Sequence, residues 1–323
     1  MVEMKRPTRL YKYRSFNNLT LSMLIEDVVY FADPTTFNDP LDTKPTLKTD
    51  LGSQALEDML SRLIEQRTTA EMSAAAKTIR YRGPKTLAHI ARQSRMEAER
   101  LLLDIRYNAT NPDYETADPA QFLLGQYVQR ELLRRYEKGV FSLAERGNCP
   151  LMWSHYGDQH RGLCLGYSIP EAATSDIHKI RYGGSRLVAA SAVAAMMDGD
   201  EGSRRTVDEA VLLKKARPWS YEREWRLIGP RGAQDSPLEL EEVVFGTRCA
   251  EAVKYAVARA LEKRSRQVKL YEIREQPDNF LLRKQTLNLD ELFAYFPRRN
   301  RTFDDTFDDL PELDELSDAQ SAR

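Results

Sequence analysis

The residue types best able to do chemistry fall into three clusters. One is Trp219-Ser220-Tyr221-Glu222-Arg223-Glu224-Trp225-Arg226, where two glutamates stand two positions apart among aromatic and basic side chains. On a strand, alternation puts Glu222, Glu224 and Arg226 on one face and Trp219, Tyr221, Arg223 and Trp225 on the other. Two like charges on one face repel unless water, a cation or a ligand stands between them. The segment therefore predicts either a pocket or a surface strand whose glutamates pair with neighbouring Lys or Arg at little gain. A second cluster runs from Leu151 to Gly162 and carries Trp153, His155, Tyr156, His160 and Arg161. Histidine titrates near neutral pH, so His155 is a candidate acid, base or hydrogen-bond donor. Trp153 and Tyr156 offer rings on which a base could stack. The alternative is a structural histidine beside core aromatics. His155 and His160 lack the further ligands of a zinc site.

The remaining cluster joins Leu10-Tyr11-Lys12-Tyr13-Arg14-Ser15 to Phe37-Asn38-Asp39-Pro40-Leu41-Asp42. Arg14 can hold a phosphate bidentately. Asn38 and Asp39 either meet a ligand or shape the chain as an Asx turn. Lys12 could hold phosphate too, but reads better as an exposed basic residue on an edge strand.

The elements that must position these residues follow from periodicity. Leu21, Leu24, Ile25 and Val28 make a helical stripe, and Val28-Val29-Tyr30-Phe31 reads as a buried strand stopped by Asp33-Pro34. Residues 51–138 change character: Leu56, Met59, Leu60, Leu63 and Ile64, and later Leu124, Tyr127, Val128 and Leu132, recur at helical spacing. With breaks at Gly83-Pro84 and Asn111-Pro112, this is a helical insert of three or more helices. Strands are expected at 139–143, 162–167, 177–182, 219–228, 238–245, 268–273 and 280–285, with mostly helix at 187–215 and an amphipathic helix at 250–263. Strands flank helices without βαβ alternation, which predicts an α+β fold with a mixed or antiparallel sheet core. The expected organisation is one domain over 1–300 and a charged, disordered tail over 301–323.

Composition narrows the class. The 323 residues are 41% hydrophobic and 30% charged, with a formal net charge of −1. That is ordinary globular composition, and the overall field favours neither nucleic acid nor an acidic membrane. Cys149, Cys164 and Cys249 are odd in number and widely spaced, which argues against a disulfide framework and for a reducing, cytoplasmic setting. The basic N-terminus lacks the apolar core of a signal peptide. No run approaches ~18 apolar residues, so no membrane partner is expected.

Three stretches in this order resemble a bacterial family of unknown function, DUF2971. They are Tyr11-Lys12-Tyr13-Arg14 with Phe37-Asn38-Asp39-Pro40, then Leu151 to Tyr156 with His160-Arg161-Gly162, then Trp219, Tyr221-Glu222 and Glu224-Trp225-Arg226. The resemblance runs from about residue 10 to about residue 285. A more distant likeness is to ADP-ribosyltransferases, with Arg14, Tyr156 and Glu222-Arg223-Glu224 in matching order; the Ser-Thr-Ser pattern of the branch with an ExE motif is missing from the middle segment. That likeness implies NAD as cofactor, with Arg14 on its phosphate or ribose and Tyr156 or Trp153 stacked on nicotinamide. Glu224 would bond the ribose 2′-hydroxyl and stabilise an oxocarbenium-like transition state, and Glu222 would orient a macromolecular acceptor. A toxin or phage-defence role would fit.

The candidate catalytic residues are thus Glu224, Glu222, His155 and Tyr156. The candidate residues for a nucleotide-like small molecule are Arg14, Tyr13, Asn38, Asp39, Trp153 and His160. Two other readings use the same region. One is a metal-dependent phosphodiesterase or nuclease built on Asp39, Asp42, Glu222, Glu224 and His155. The other is a non-catalytic nucleotide-sensing module with the helical insert as partner surface.

Overall fold

The computed structural model describes residues 7–298 apart from 82, 84 and 135–137. The expected tail over 301–323 lies outside the described residues. In chain order, β1 (Arg9–Arg14), α1 (Asn18–Ile25), β2 (Val28–Phe31) and β3 (Thr46–Lys48) lead into three long helices. These are α2 (Ser53–Thr78), α3 (Thr86–Asn108) and α4 (Pro119–Arg134), which fill the span read as a helical insert. Then come β4 (Lys138–Ala144), α5 (Pro150–His155), β5 (Leu163–Ser168), β6 (Ile177–Lys179), β7 (Arg181–Tyr182) and β8 (Leu187–Ala189). After these follow α6 (Ala190–Met197), α7 (Glu201–Leu212), β9 (Lys214–Lys215), β10 (Glu224–Pro230) and β11 (Gly232–Asp235). The last elements are β12 (Glu239–Phe245), α8 (Glu251–Leu261), β13 (Lys269–Glu275), β14 (Leu282–Thr286) and α9 (Leu289–Tyr295).

An eight-stranded sheet in the order β14-β13-β12-β5-β1-β4-β10-β6 forms the core. Its neighbours are antiparallel except β12 and β13, which run parallel across the α8 crossover. The fold is α+β with a mixed sheet. Alternation along the strands separates two faces. Leu10, Phe141, Leu143, Leu165, Trp225, Leu227 and Val243 face one apolar cluster, which α1, α8 and α9 cover. On the opposite face Val140 joins a cluster built by α2, α4, α6 and α7, while Tyr13, Ala144, Cys164 and Val244 join another under α5. The polar positions Ser142 and Glu224 fall between those two clusters on the same face.

Two expectations change. β1 is an interior strand, flanked by β5 and β4, so Lys12 is not on an exposed edge. Its pairing is lopsided: six residue pairs join it to β5, but only Tyr11 and Ala144 join it to β4. Farther along that edge of β4, Val140 bonds Ala32 instead. The sheet is therefore open between these two points. The predicted strand over 219–228 also begins later. Arg217–Glu222 is a 3-10 turn, and Arg223 is left-handed at φ 47° before β10 starts at Glu224. Pro218 in the first turn favours that turn over a strand rung, because it has no N–H to give.

Candidate functional site

A cavity of about 290 Å³ occupies the opening between β1 and β4. Tyr11, Lys12 and Tyr13 wall it on one side, Ser142, Leu143 and Ala144 on the other. The loop after β2 contributes Thr36, Phe37, Asn38 and Asp42, α5 contributes Met152, and the residue that caps its C-terminus, Tyr156, adds its ring. Lys215, Glu222 and Glu224 complete it.

The charged end is tightly built. Lys215 Nζ donates to Glu222 Oε2 at 2.6 Å and to Glu224 Oε2 at 3.1 Å, and stands 3.4 Å from Asp42 Oδ2. Arg226, with no exposed surface, donates from Nε to Glu224 Oε1 at 2.8 Å and from Nη2 to both oxygens of Asp42 at 2.9 and 2.7 Å. Its Nη1 caps the Leu212 carbonyl at 2.7 Å. The intervening cation that two glutamates demand is thus the protein's own. Glu222 arrives from the 3-10 turn and Glu224 from the strand, and the left-handed Arg223 between them lets both point at Lys215.

The two glutamates are shifted in opposite directions. Burial pushes the Glu222 carboxyl above the usual range, and Lys215 only partly offsets this. For Glu224, burial is outweighed by Arg226 and Lys215, which hold its pKa at about 2. Burial alone would lower Lys215, but Glu224, Glu222 and Asp42 raise it well above an ordinary lysine. Tyr156 donates its hydroxyl to Glu222 Oε1 at 2.8 Å and also bonds the Asn38 side chain. Burial and the Glu222 charge keep that phenol protonated. Tyr182 accepts the Glu224 amide at 2.7 Å and fixes the start of β10.

Of the sequence candidates, Tyr13, Asn38, Tyr156, Glu222 and Glu224 meet at this cavity. The others stand apart. Trp153 is wholly buried; its indole donates to the Gly147 carbonyl at 3.1 Å and packs edge-on to Tyr13. No face is left for a ligand ring. His160 stacks on Trp153 at 6.1 Å, outside the cavity wall, and burial lowers its pKa. His155 is exposed among Tyr156, Trp219 and Tyr221. Asp39 accepts the Trp219 indole at 2.7 Å and the Leu41 amide at 2.8 Å, so it shapes its loop. Arg14 ends β1 half-buried and is not in the cavity wall. Tyr13 spends its hydroxyl on the Arg146 carbonyl and Cys149 amide and offers only its ring.

Sequence reasoning passed over Lys12, Lys215 and Ser142. The signal for Lys215 was present, since a buried glutamate pair requires a cation. Nothing in the residues around Lys12 marks β1 as interior.

His160-Arg161-Gly162 has a structural explanation. The chain turns through three successive left-handed residues, Asp158, Gln159 and His160. A Cβ at Gly162 would sit 2.1 Å from the Arg14 carbonyl oxygen, so only glycine lets this turn close onto β1.

Fold and site together define an α+β protein with a charged, tyrosine-lined pocket in a parted sheet. The model of a family described as "Protein of unknown function (DUF2971)" matches residues 152–227, and this supports the resemblance drawn from the motifs. The matched span holds the Trp219–Arg226 cluster and all but Leu151 of the Leu151–Gly162 cluster; the cluster joining Leu10–Ser15 to Phe37–Asp42 lies outside it. No curated protein and no solved structure gives a significant match. Among the described residues no helix is long and apolar enough to cross a membrane.

Proposed function

We propose that this pocket binds the base-and-ribose part of a nucleotide, NAD foremost, and cleaves the bond between them, passing the sugar to water or to a macromolecular acceptor. The observation that carries the reading is the glutamate pair: two carboxyl groups share one cation yet have their pKa values driven in opposite directions. Such a split assigns an acid–base role to one group and a fixed charge to the other. Glu224, ionised at neutral pH, offsets the positive charge that builds on a ribose as its base departs. Glu222 holds or takes the mobile proton, with Tyr156 as its hydrogen-bond partner. The Tyr11, Tyr13 and Phe37 rings supply flat walls for a base. The cavity volume lies near the lower bound of ~300–1,000 Å³ for ligand pockets, which suits half a dinucleotide and leaves the rest at the mouth.

Calorimetric titration with NAD, paired with chromatography for released nicotinamide, tests this. The expected result is binding that survives Glu222→Gln with turnover lost. Absence of binding at millimolar NAD together with absence of nicotinamide release would sink it. A second reading, a sensor that binds without turnover, is favoured by one fact: both Glu224 oxygens are already held by Arg226 and Lys215. Saturable binding with intact NAD would decide for it. The nuclease reading finds less support, because Asp42, Glu222 and Glu224 are engaged by those cations and Asp39 by Trp219.

A further inference from the structure

Lys12 stands where a rung of the sheet is missing. Between the Tyr11–Ala144 pair and the Val140–Ala32 pair no ladder pair joins β1 to β4, and Lys12 Nζ donates to the Ser142 carbonyl there at 2.8 Å. That ammonium also lies 4.7 Å from the Phe141 ring centre. Lys12 lines the cavity, and among the described residues no carboxylate lies within ion-pair distance of it. This differs from Lys215 across the same pocket, which has three carboxylate neighbours.

We propose that Lys12 is an amine nucleophile of the pocket, forming an imine with an aldehyde, including the ring-opened anomeric aldehyde of a ribose. The proposal shares the cavity with the reading above but not its reaction, so it stands or falls separately. In the step, the ammonium first loses a proton to solvent. The Nζ lone pair then adds to the carbonyl carbon while the carbonyl oxygen gains a proton, and loss of water leaves the C=N bond. A neutral amine is available because the surroundings disfavour the cation. Burial is the largest cause, Arg14, Arg226 and Lys215 add to it, and Glu224 opposes it, leaving a pKa of about 7. A buried lysine with cationic neighbours is the usual setting of a Schiff-base lysine.

The test is reductive trapping on the full chain near neutral pH, with sodium cyanoborohydride and either glycolaldehyde or ADP-ribose, read by peptide mass spectrometry. Lys12 is expected to carry the reduced adduct at least ~10-fold faster than exposed Lys77. Lys215 is expected to stay unmodified. Lys12→Arg keeps the charge and removes the adduct. Should that variant not fold, the competition between Lys12 and Lys77 in the unaltered protein still decides. Equal or faster labelling of Lys77 with glycolaldehyde overturns the proposal. Trapping by glycolaldehyde but not by ADP-ribose upholds the amine and counts against the nucleotide reading.

Discussion

The Tyr156 hydroxyl reaches Glu222 Oε1 at 2.8 Å across 66 positions of sequence, tying α5 to the turn before β10. Tyr156→Phe removes that bond and leaves the ring. A loss of about 1 kcal/mol in stability is expected from one hydrogen bond. If Glu222 does proton work, nicotinamide release falls by on the order of 10-fold or more, since ~1.4 kcal/mol is a factor of ten. Thermal melts and turnover measured on the same preparation separate the two effects.

Lys215 is the keystone of the charged end. Lys215→Met leaves Glu222 without its cation and Glu224 and Asp42 dependent on Arg226 alone. Breaking a buried pair in this way costs about 3–5 kcal/mol. Adding Glu222→Gln removes one stranded charge, so the double variant is expected to be more stable than Lys215→Met. Urea unfolding of the four proteins of the cycle measures the coupling.

Acid should act on the two glutamates in opposite senses. The folded pKa of Glu224, about 2, lies below its unfolded value of ~4.3. Its contribution is present above the unfolded value and is lost as pH falls through the folded one. Glu222 is raised, so its contribution is full below ~4.3 and is lost as pH rises through its folded pKa. Glu224→Gln is thus expected to flatten the acid limb of stability between about pH 2 and 4. Glu222→Gln is expected to raise the stability at neutral pH relative to that at pH 4. Denaturant midpoints across this range check both signs.

Much of the fold is legible in the residues, and the reason is period. Val28–Phe31, residues 139–143 and 162–167, and the stripes of α2 and α4 carry enough apolar repeats to declare themselves. β3, β7, β8 and β9 span two or three residues each, too short for any repeat. The alternation over 219–228 misleads because aromatic and charged residues also alternate in a 3-10 turn followed by a left-handed residue. At the site, Glu222, Glu224 and Tyr156 are found by type and spacing. Trp153 and His160 are misassigned because a ring that packs and a ring that binds look alike in sequence. Lys12 is missed because strand order, set by contacts far apart in the chain, decides whether a basic residue is exposed or enclosed.

The turn before β5 offers a paired test of backbone geometry. Gly162→Ala forces a side chain into the Arg14 backbone and is expected to cost about 1–3 kcal/mol. Gln159, exposed with φ 53°, pays for a left-handed conformation that glycine adopts freely. Gln159→Gly is expected to stabilise by ~1 kcal/mol. Chemical denaturation of both variants gives the two signs.

In mechanical terms the eight strands are two panels, five on the β1 side and three on the β4 side, joined at one ladder pair. Elsewhere the same strands hold their neighbours by six pairs, β1 to β5, or seven, β4 to β10. A small change in the angle between panels breaks almost no backbone bonds, while it widens or narrows the space that a ligand would fill. Amide exchange at Tyr11 and Ala144 is therefore expected to be faster than in the middle of β5 and β10, and to slow when the space is occupied. A ligand seated there would act as the missing rungs do in an ordinary sheet, converting two loosely coupled panels into one.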